Sequence, residues 1–353
     1  MKKLSSILIL VAIWQYSFGQ IGGQNIFQSL QLPISPQVAA IGGSGLGFYD
    51  HQISTALQNP CFIDSSINKT IHFNTTFYPS GVNFGTLGYG FKTKKAGNFL
   101  ASIQYVSYGK FDGRDAAGNS TGDFKGGDYA IKVGTGRNIK NFIYGANVKV
   151  LFSHLETYNS LALATDLSAG FHNEKKQLTA TLNITNLGVQ LKKYTEGERE
   201  KLPLDISIGF SKKLNKIPFR LNIVAQHLQK WNLAYDDPNA VQGTNIFGEP
   251  TKAKNKTVEN LFRHLIFGTE IDIKKTVFLR FGYNHDRRKN LEFEAKKGLG
   301  GLSAGAGINI KQFAIDYTFA RYGPISSANH LGISIHLDQF GLKNSNKTNP
   351  NLE

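Results

Sequence analysis

Long stretches of this chain alternate, residue by residue, between an apolar face and a small or polar one. Phe219, Leu221, Ile223 and Ala225 take turns with Arg220, Asn222, Val224 and Gln226. Ile206, Ile208 and Phe210 do the same, as do Phe313, Ile315, Tyr317 and Phe319, and then Leu331, Ile333, Ile335 and Leu337. A period of two sends neighbouring side chains to opposite faces of a strand. The pattern holds from about Ile71 onward and predicts many strands, each with one apolar face. Composition agrees, because 12% aromatics and 37 glycines with only 18% charged residues suit strands and turns. Two architectures satisfy such alternation equally: a soluble sandwich with its apolar faces buried, and a membrane barrel with lipid outside and a polar lumen inside.

The connections separate these two. About fourteen strands are expected, an even number, as bacterial outer-membrane barrels require. They begin near Ile71, Gly81, Asn98, Phe124, Asn141, Leu161, Gln177, Leu202, Pro218, Phe262, Thr276, Gly301, Gln312 and Asn329. Every second connection is short and carries Lys, as in Lys92–Gly97, Arg137–Lys140 and Lys274–Lys275. Most of the others are long: Phe111–Asp123, Gln190–Lys201, Trp231–Arg263 and Asp286–Gly300. Short turns at one rim and long loops at the other are the outer-membrane asymmetry, which predicts both termini on the periplasmic side. Tyr78, Tyr89, Tyr105, Tyr108, Tyr129, Tyr144, Tyr283 and Tyr322 lie near strand ends, where rim girdles of aromatics belong.

The start of the chain reads as an export signal. Lys2 and Lys3 precede the apolar run Ile7–Trp14, and Ser17-Phe18-Gly19 offers a cleavage point before Gln20. That run is too short to span a bilayer as a helix. The formal net charge is +15; export turns this away from nucleic acid and toward anionic lipid or lipopolysaccharide. A single cysteine, Cys61, excludes a disulfide framework. The expected fold is therefore all-β, an antiparallel transmembrane outer-membrane β-barrel with an N-terminal plug segment. The expected divisions are a signal peptide (1–19), a plug or periplasmic segment (20–70), the barrel (71–338) and a disordered tail rich in Asn and Lys (339–353). The early segment is punctuated by Gly and Pro, and Phe27, Leu30, Leu32, Ile34 and Phe48 need burial somewhere; a plug inside the lumen gives it.

Part of that segment carries a family resemblance. Phe27-x-x-Leu30-x-Leu32-Pro33-x-Ser35, then Ala39-Ala40-Ile41-Gly42-Gly43, then Asn59-Pro60, resembles the opening of the PorQ-type proteins of the type IX secretion system. These belong to the PorV/PorQ group, relatives of the FadL-like barrels, in Bacteroidetes. Phe281-Gly282-Tyr283-Asn284, Arg287-Arg288 and Phe313-Ala314-Ile315-Asp316-Tyr317 are similar to the group's closing strands. Cys61 departs from the group, where a small residue such as Ala usually follows Asn-Pro. The resemblance implies a non-catalytic anchor for a PorZ-like surface protein, working with PorU and PorV. That attachment complex cuts the signal from secreted cargo and links the cargo to anionic lipopolysaccharide. The alternative it leaves open is a FadL-like transporter of hydrophobic compounds. A periplasmic soluble β-protein is a third reading.

No catalytic constellation stands out. The run Gly298–Gly307 lacks the Gly-Lys-Ser/Thr and helix of a phosphate loop, and reads as strand packing. None of the nine histidines sits at zincin spacing. His285-Asp286 opens a surface loop. No cofactor or metal is expected. Candidate contacts with a partner or with lipopolysaccharide are Trp231, Tyr235 and Phe247 in the largest insertion, and Arg287 and Arg288, whose guanidinium forks suit phosphate.

Overall fold

The computed structural model describes residues 25–197, 199–234, 256–290, 299–323 and 326–340. The leader, Tyr235, Phe247 and the residues beyond Phe340 lie outside these ranges. Fourteen antiparallel strands close into one barrel. They are Thr70–Phe77 (β1), Asn83–Thr93 (β2), Gly97–Arg114 (β3), Ser120–Ile139 (β4), Phe142–Leu155 (β5), Tyr158–Asn173 (β6) and Leu178–Lys192 (β7). Asp205–Lys213 (β8), Phe219–Ala225 (β9), Leu265–Ile273 (β10), Val277–Asn284 (β11), Leu302–Ile310 (β12), Phe313–Arg321 (β13) and Ser327–His336 (β14) complete the wall. Each pairs with its neighbour in sequence. β1 meets β14 in register from Thr70 opposite His336 to Phe77 opposite Asn329, which removes the last edge.

Burial runs inside out. In β1, Thr70, His72, Asn74 and Thr76 are buried, while Phe73 and Phe77 stand 46% and 49% exposed. Across β4 and β5, Lys132, Asn147 and Lys149 are buried, while Ile131, Val133, Val148 and Val150 face outward. A sandwich would have covered that apolar face with a second sheet. Here it is bare in strand after strand, a surface that water does not tolerate but lipid requires. The protein is an outer-membrane β-barrel. No helix among the described residues is long and apolar enough to cross a membrane, so strands make the crossing. The short turns mark the periplasmic rim. Several place Lys in left-handed backbone, at Lys140, Lys274, Lys275 and Lys311.

Four local expectations change. β3 and β4 run on through Phe111–Asp123 as a projecting ribbon with Phe111 stacked on Phe124, so the long loop there shrinks to a turn. Phe262 does not start a strand but ends a helix, Lys256–His264 (α3; α1 and α2 follow below), and β10 begins at Leu265. An i,i+4 pair, Glu259 to Arg263 at 3.5 Å, supports that helix. His285-Asp286 is not open loop but begins a second short helix, His285–Asn290 (α4), packed on α3. The tyrosines divide: Tyr89, Tyr129 and Tyr144 point outward, whereas Tyr108 bonds Asp128 inside, and Tyr78 and Tyr322 share a hydroxyl–hydroxyl bond of 3.2 Å.

Residues 25–68 lie within the barrel. Asn25 forms a parallel bridge with Lys201, in the connection between β7 and β8 at the outer rim. The barrel's own two ends are periplasmic, but the described start of the chain is at the opposite rim. The segment descends through the lumen, with Pro36–Ala40 (α1) and Ile53–Ala56 (α2) as its helices, and reaches the periplasmic rim where β1 starts. Ser35 caps α1, its hydroxyl accepting from the Val38 N–H. Wall side chains hold the segment's carbonyls: Thr318 donates to Pro36 at 2.7 Å, Ser303 to Ala40 at 2.9 Å and Thr181 to Leu46 at 2.6 Å. Ile34, Val38, Leu57, Phe62 and Ile67 pack with Leu100 and Ile143 of the wall into a small apolar core.

A titratable latch closes the periplasmic end. The Asp64 carboxylate accepts from the Tyr49 hydroxyl at 2.6 Å and meets His51 Nδ1 at 2.6 Å. Its bond to Asp64 raises the His51 pKa above the ordinary 6.5. Burial opposes the Asp64 charge, but bonds from His51, Ser66 and Tyr49 outweigh it and hold that carboxyl below 3.8. The His51 contribution is complete below 6.5 and is lost as pH rises through its raised pKa; the Asp64 contribution is complete above 3.8 and is lost on acidification. The latch is therefore tightest between pH 3.8 and 6.5. Hydrogen exchange of amides 49–66, corrected for intrinsic rate, is expected to speed up above neutral pH. His51→Gln is expected to flatten that dependence.

Candidate functional site

Two features of the outer half of the barrel have the geometry of a site: a lumenal cavity and an apolar rim. The cavity measures about 240 Å³. One wall is the descending segment, through Leu30, Leu32 and Ile34; the other is the inward face of β3–β8, through Gln104, Lys132, Lys149 and Asp166. Lys149 pairs with Asp166 at 2.5 Å, and Lys132 donates to the Leu57 carbonyl. A space with aliphatic groups on one side and paired charges on the other suits an amphipathic molecule.

The cavity reaches the wall where the β7–β8 ladder ends. The β7–β8 ladder stops at Thr185 opposite Asp205, yet β7 continues to Lys192. A bulge at Asn186, with left-handed φ of 59°, turns β7 at that point. Thr185, Asn186, Asp205 and His227 all line the cavity. Asn186 latches the seam, its Nδ2 donating to the Pro203 carbonyl at 2.9 Å, while on the β8 side Asp205 holds His227, just beyond β9, at 2.9 Å. On the lipid side, Leu187 and Leu204 flank it, both exposed.

The rim is built around α3, whose amphipathicity is reversed. Its buried residues are polar ones. Asn260 accepts from the Leu233 and Ala234 amides, Arg263 bonds Asp286 and Asn290, and His264 meets the carbonyls of Gln226 and Trp231. Leu261 and Phe262 face outward at 46% and 43% exposure, beside Trp231 at 56%, which stacks on His264.

The residues singled out in the sequence fall into groups. Phe27, Leu30, Leu32, Pro33, Ser35, Gly42, Gly43, Asn59 and Pro60 all belong to the lumenal segment. Phe27 is buried against Ala130, Leu151 and Leu202, with Leu30 beside it. Asn59 donates to the Leu46 carbonyl and caps the Cys61 amide. Gly42 and Gly43 have φ of 95° and 96°. Trp231 is at the rim. Arg287 does not face the outer surface; it turns into the barrel over the Tyr322 ring, 4.4 Å from its centroid, and lines the cavity. Arg288 is half-buried beside Gly301. The inward charges Lys132, Lys149, Asp166, Glu270 and Arg280 were not singled out in the sequence, and Asp316 entered only within a family motif. Their signal was available: each occupies the lumenal phase of an alternating strand.

The sequence matches no family model and no curated protein. Among solved structures, a FadL homologue of Pseudomonas aeruginosa aligns at a TM-score of 0.47 and 10% identity, covering 85% of this chain and 97% of that one. The Acinetobacter baumannii outer membrane protein Omp33 aligns at 0.38 and 8% identity, covering 76% and 96%. The KdgM porin, solved with a disordered oligogalacturonate, aligns at 0.31 and 5%, covering 75% and 98%.

Proposed function

We propose that this barrel is a FadL-like outer-membrane transporter of hydrophobic or amphipathic compounds. The observation that carries the reading is the lumenal cavity that meets the wall at the end of the β7–β8 ladder, between Thr185 and Asp205. A ligand entering from outside would rest its apolar part on Leu30, Leu32 and Ile34 and leave sideways into lipid once the Asn186 latch opens. Register partners are close enough for a disulfide with little movement, and the one native cysteine is buried. Uptake of a fluorescent fatty acid by cells carrying Thr185→Cys with Asp205→Cys is expected to stop on oxidation and return on reduction. Unchanged uptake in the oxidised form, with the cross-link verified, sinks the reading.

A second reading is favoured by the outward apolar face of α3. It is a non-catalytic component of type IX secretion, anchoring a PorZ-like surface protein in the attachment complex with PorU and PorV. An amphipathic helix held down by its polar side offers Leu261, Phe262 and Trp231 to a partner, as docking surfaces rich in aromatics do. Leu261→Asp with Phe262→Asp is expected to release the surface protein into the medium while the barrel stays folded. Retention of that protein on the cell would exclude the reading.

A further inference from the structure

The lipid face of the barrel is uneven. Along most outward rows, large side chains follow one another, but over β4–β7 near the periplasmic rim the row thins to alanines. Thr135 lies opposite Ala146 and Ala146 opposite Leu167; Arg137 lies opposite Tyr144, Tyr144 opposite Ala169, and Ala169 opposite Leu182. The two small residues leave a groove of about 450 Å³, walled by Tyr144, Leu167, Leu182 and Ile184 and almost entirely apolar. A volume of a few hundred Å³ is that of a ligand pocket, and this one opens into the bilayer.

Its periplasmic end is cationic. Arg137 donates to the Ala96 carbonyl of the neighbouring turn at 3.2 Å, which draws the guanidinium to the rim. A guanidinium carries five N–H donors, so one such bond leaves donors for a phosphate. The adjacent turns present exposed Lys94, Lys95, Lys140, Lys175 and Lys176 against one acid, Glu174. A basic collar at this level faces the headgroups of the periplasmic leaflet.

We propose that this groove holds one anionic phospholipid of the periplasmic leaflet, an acyl chain lying over Ala146 and Ala169 and its phosphate on Arg137. Apolar walls account for the chain, and Arg137 with the turn lysines accounts for the sign of the headgroup. The site depends on the membrane-spanning barrel alone and stands whether the protein transports or anchors.

The test is native mass spectrometry of the full chain in detergent, titrated with phosphatidylglycerol or phosphatidylcholine, folding being checked by heat-modifiable gel migration. The wild type is expected to keep a single phosphatidylglycerol through delipidation. Arg137→Gln is expected to weaken it about fivefold, the effect of one cation near a lipid surface, and to erase the preference over phosphatidylcholine. Ala169→Trp fills the groove and is expected to abolish the bound lipid; Ala146→Phe serves if that variant does not fold. Wild-type retention in a folded groove-filling variant overturns the proposal. So does equal retention of both lipids by the wild type, or a groove occupied by a second copy of the chain or by another protein.

Discussion

Arg280→Leu is expected to cost the barrel about 3–5 kcal/mol, the penalty for breaking a buried charge pair by removing one partner. Arg280 is the largest fully buried side chain. Its Nε donates to Glu270 at 2.8 Å and its Nη1 to Asp316 at 2.5 Å, joining β10, β11 and β13 along the inner face of the wall. Phe278 lies beneath the guanidinium, 5.2 Å from ring centroid to Cζ. Without the arginine two buried carboxylates face each other uncompensated. Urea unfolding in lipid vesicles measures the loss. Adding Glu270→Gln and Asp316→Asn to Arg280→Leu is expected to recover most of it, because neutral groups of the same shape carry no buried charge. If the triple variant is as unstable as the single one, packing and not charge is the cause.

Gly282→Val is expected to push the descending segment out of its seat and convert the barrel into a conducting pore. A Cβ at Gly282 would sit 2.0 Å from the Gly42 nitrogen and 2.4 Å from the Ile41 carbonyl carbon, both backbone atoms that cannot swing aside. Overpacking of this kind costs about 1–3 kcal/mol at least, and it falls on contacts of the lumenal segment. The wall itself keeps its ladder, so the barrel remains. Planar-bilayer recordings are expected to give background current for the wild type and sustained single-channel steps for the variant. Gly145→Val, whose Cβ would lie 2.2 Å from the Pro60 carbonyl oxygen, is expected to act alike at the periplasmic end. A silent, folded Gly282→Val barrel would mean that the segment does not block the lumen by sitting there.

Much of the wall was legible because a strand's period of two is written directly in side-chain polarity. The alternation in β9, β13 and β14 located those strands within a residue or two. The misses have local causes. β8 starts at Asp205 and not Leu202, because Leu202 turns inward against Phe27 and Leu151 and the Pro203 carbonyl is taken by Asn186. Phe262 carries the aromatic character of a strand, yet the polar spacing of Asn260, Arg263 and His264, which the rim bonds, makes that stretch helical. The site was less legible than the wall. Arg287 carries the same charge whether it points at lipopolysaccharide or across Tyr322, and only the turn of α4 chose.

The sequence alone determined that the chain is a many-stranded barrel with short basic turns on one rim, since periodicity and loop length are local properties of the chain. Membrane or water could not follow from alternation, which is identical for a face buried against a second sheet and a face bathed in lipid. The alternating short and long connections pointed to the membrane, and the tertiary structure decided it by leaving that face bare all round the closed ring. It also decided the route of residues 25–68 and the seam at Thr185 and Asp205. Both depend on contacts between residues far apart in the chain, and such contacts leave no period to read.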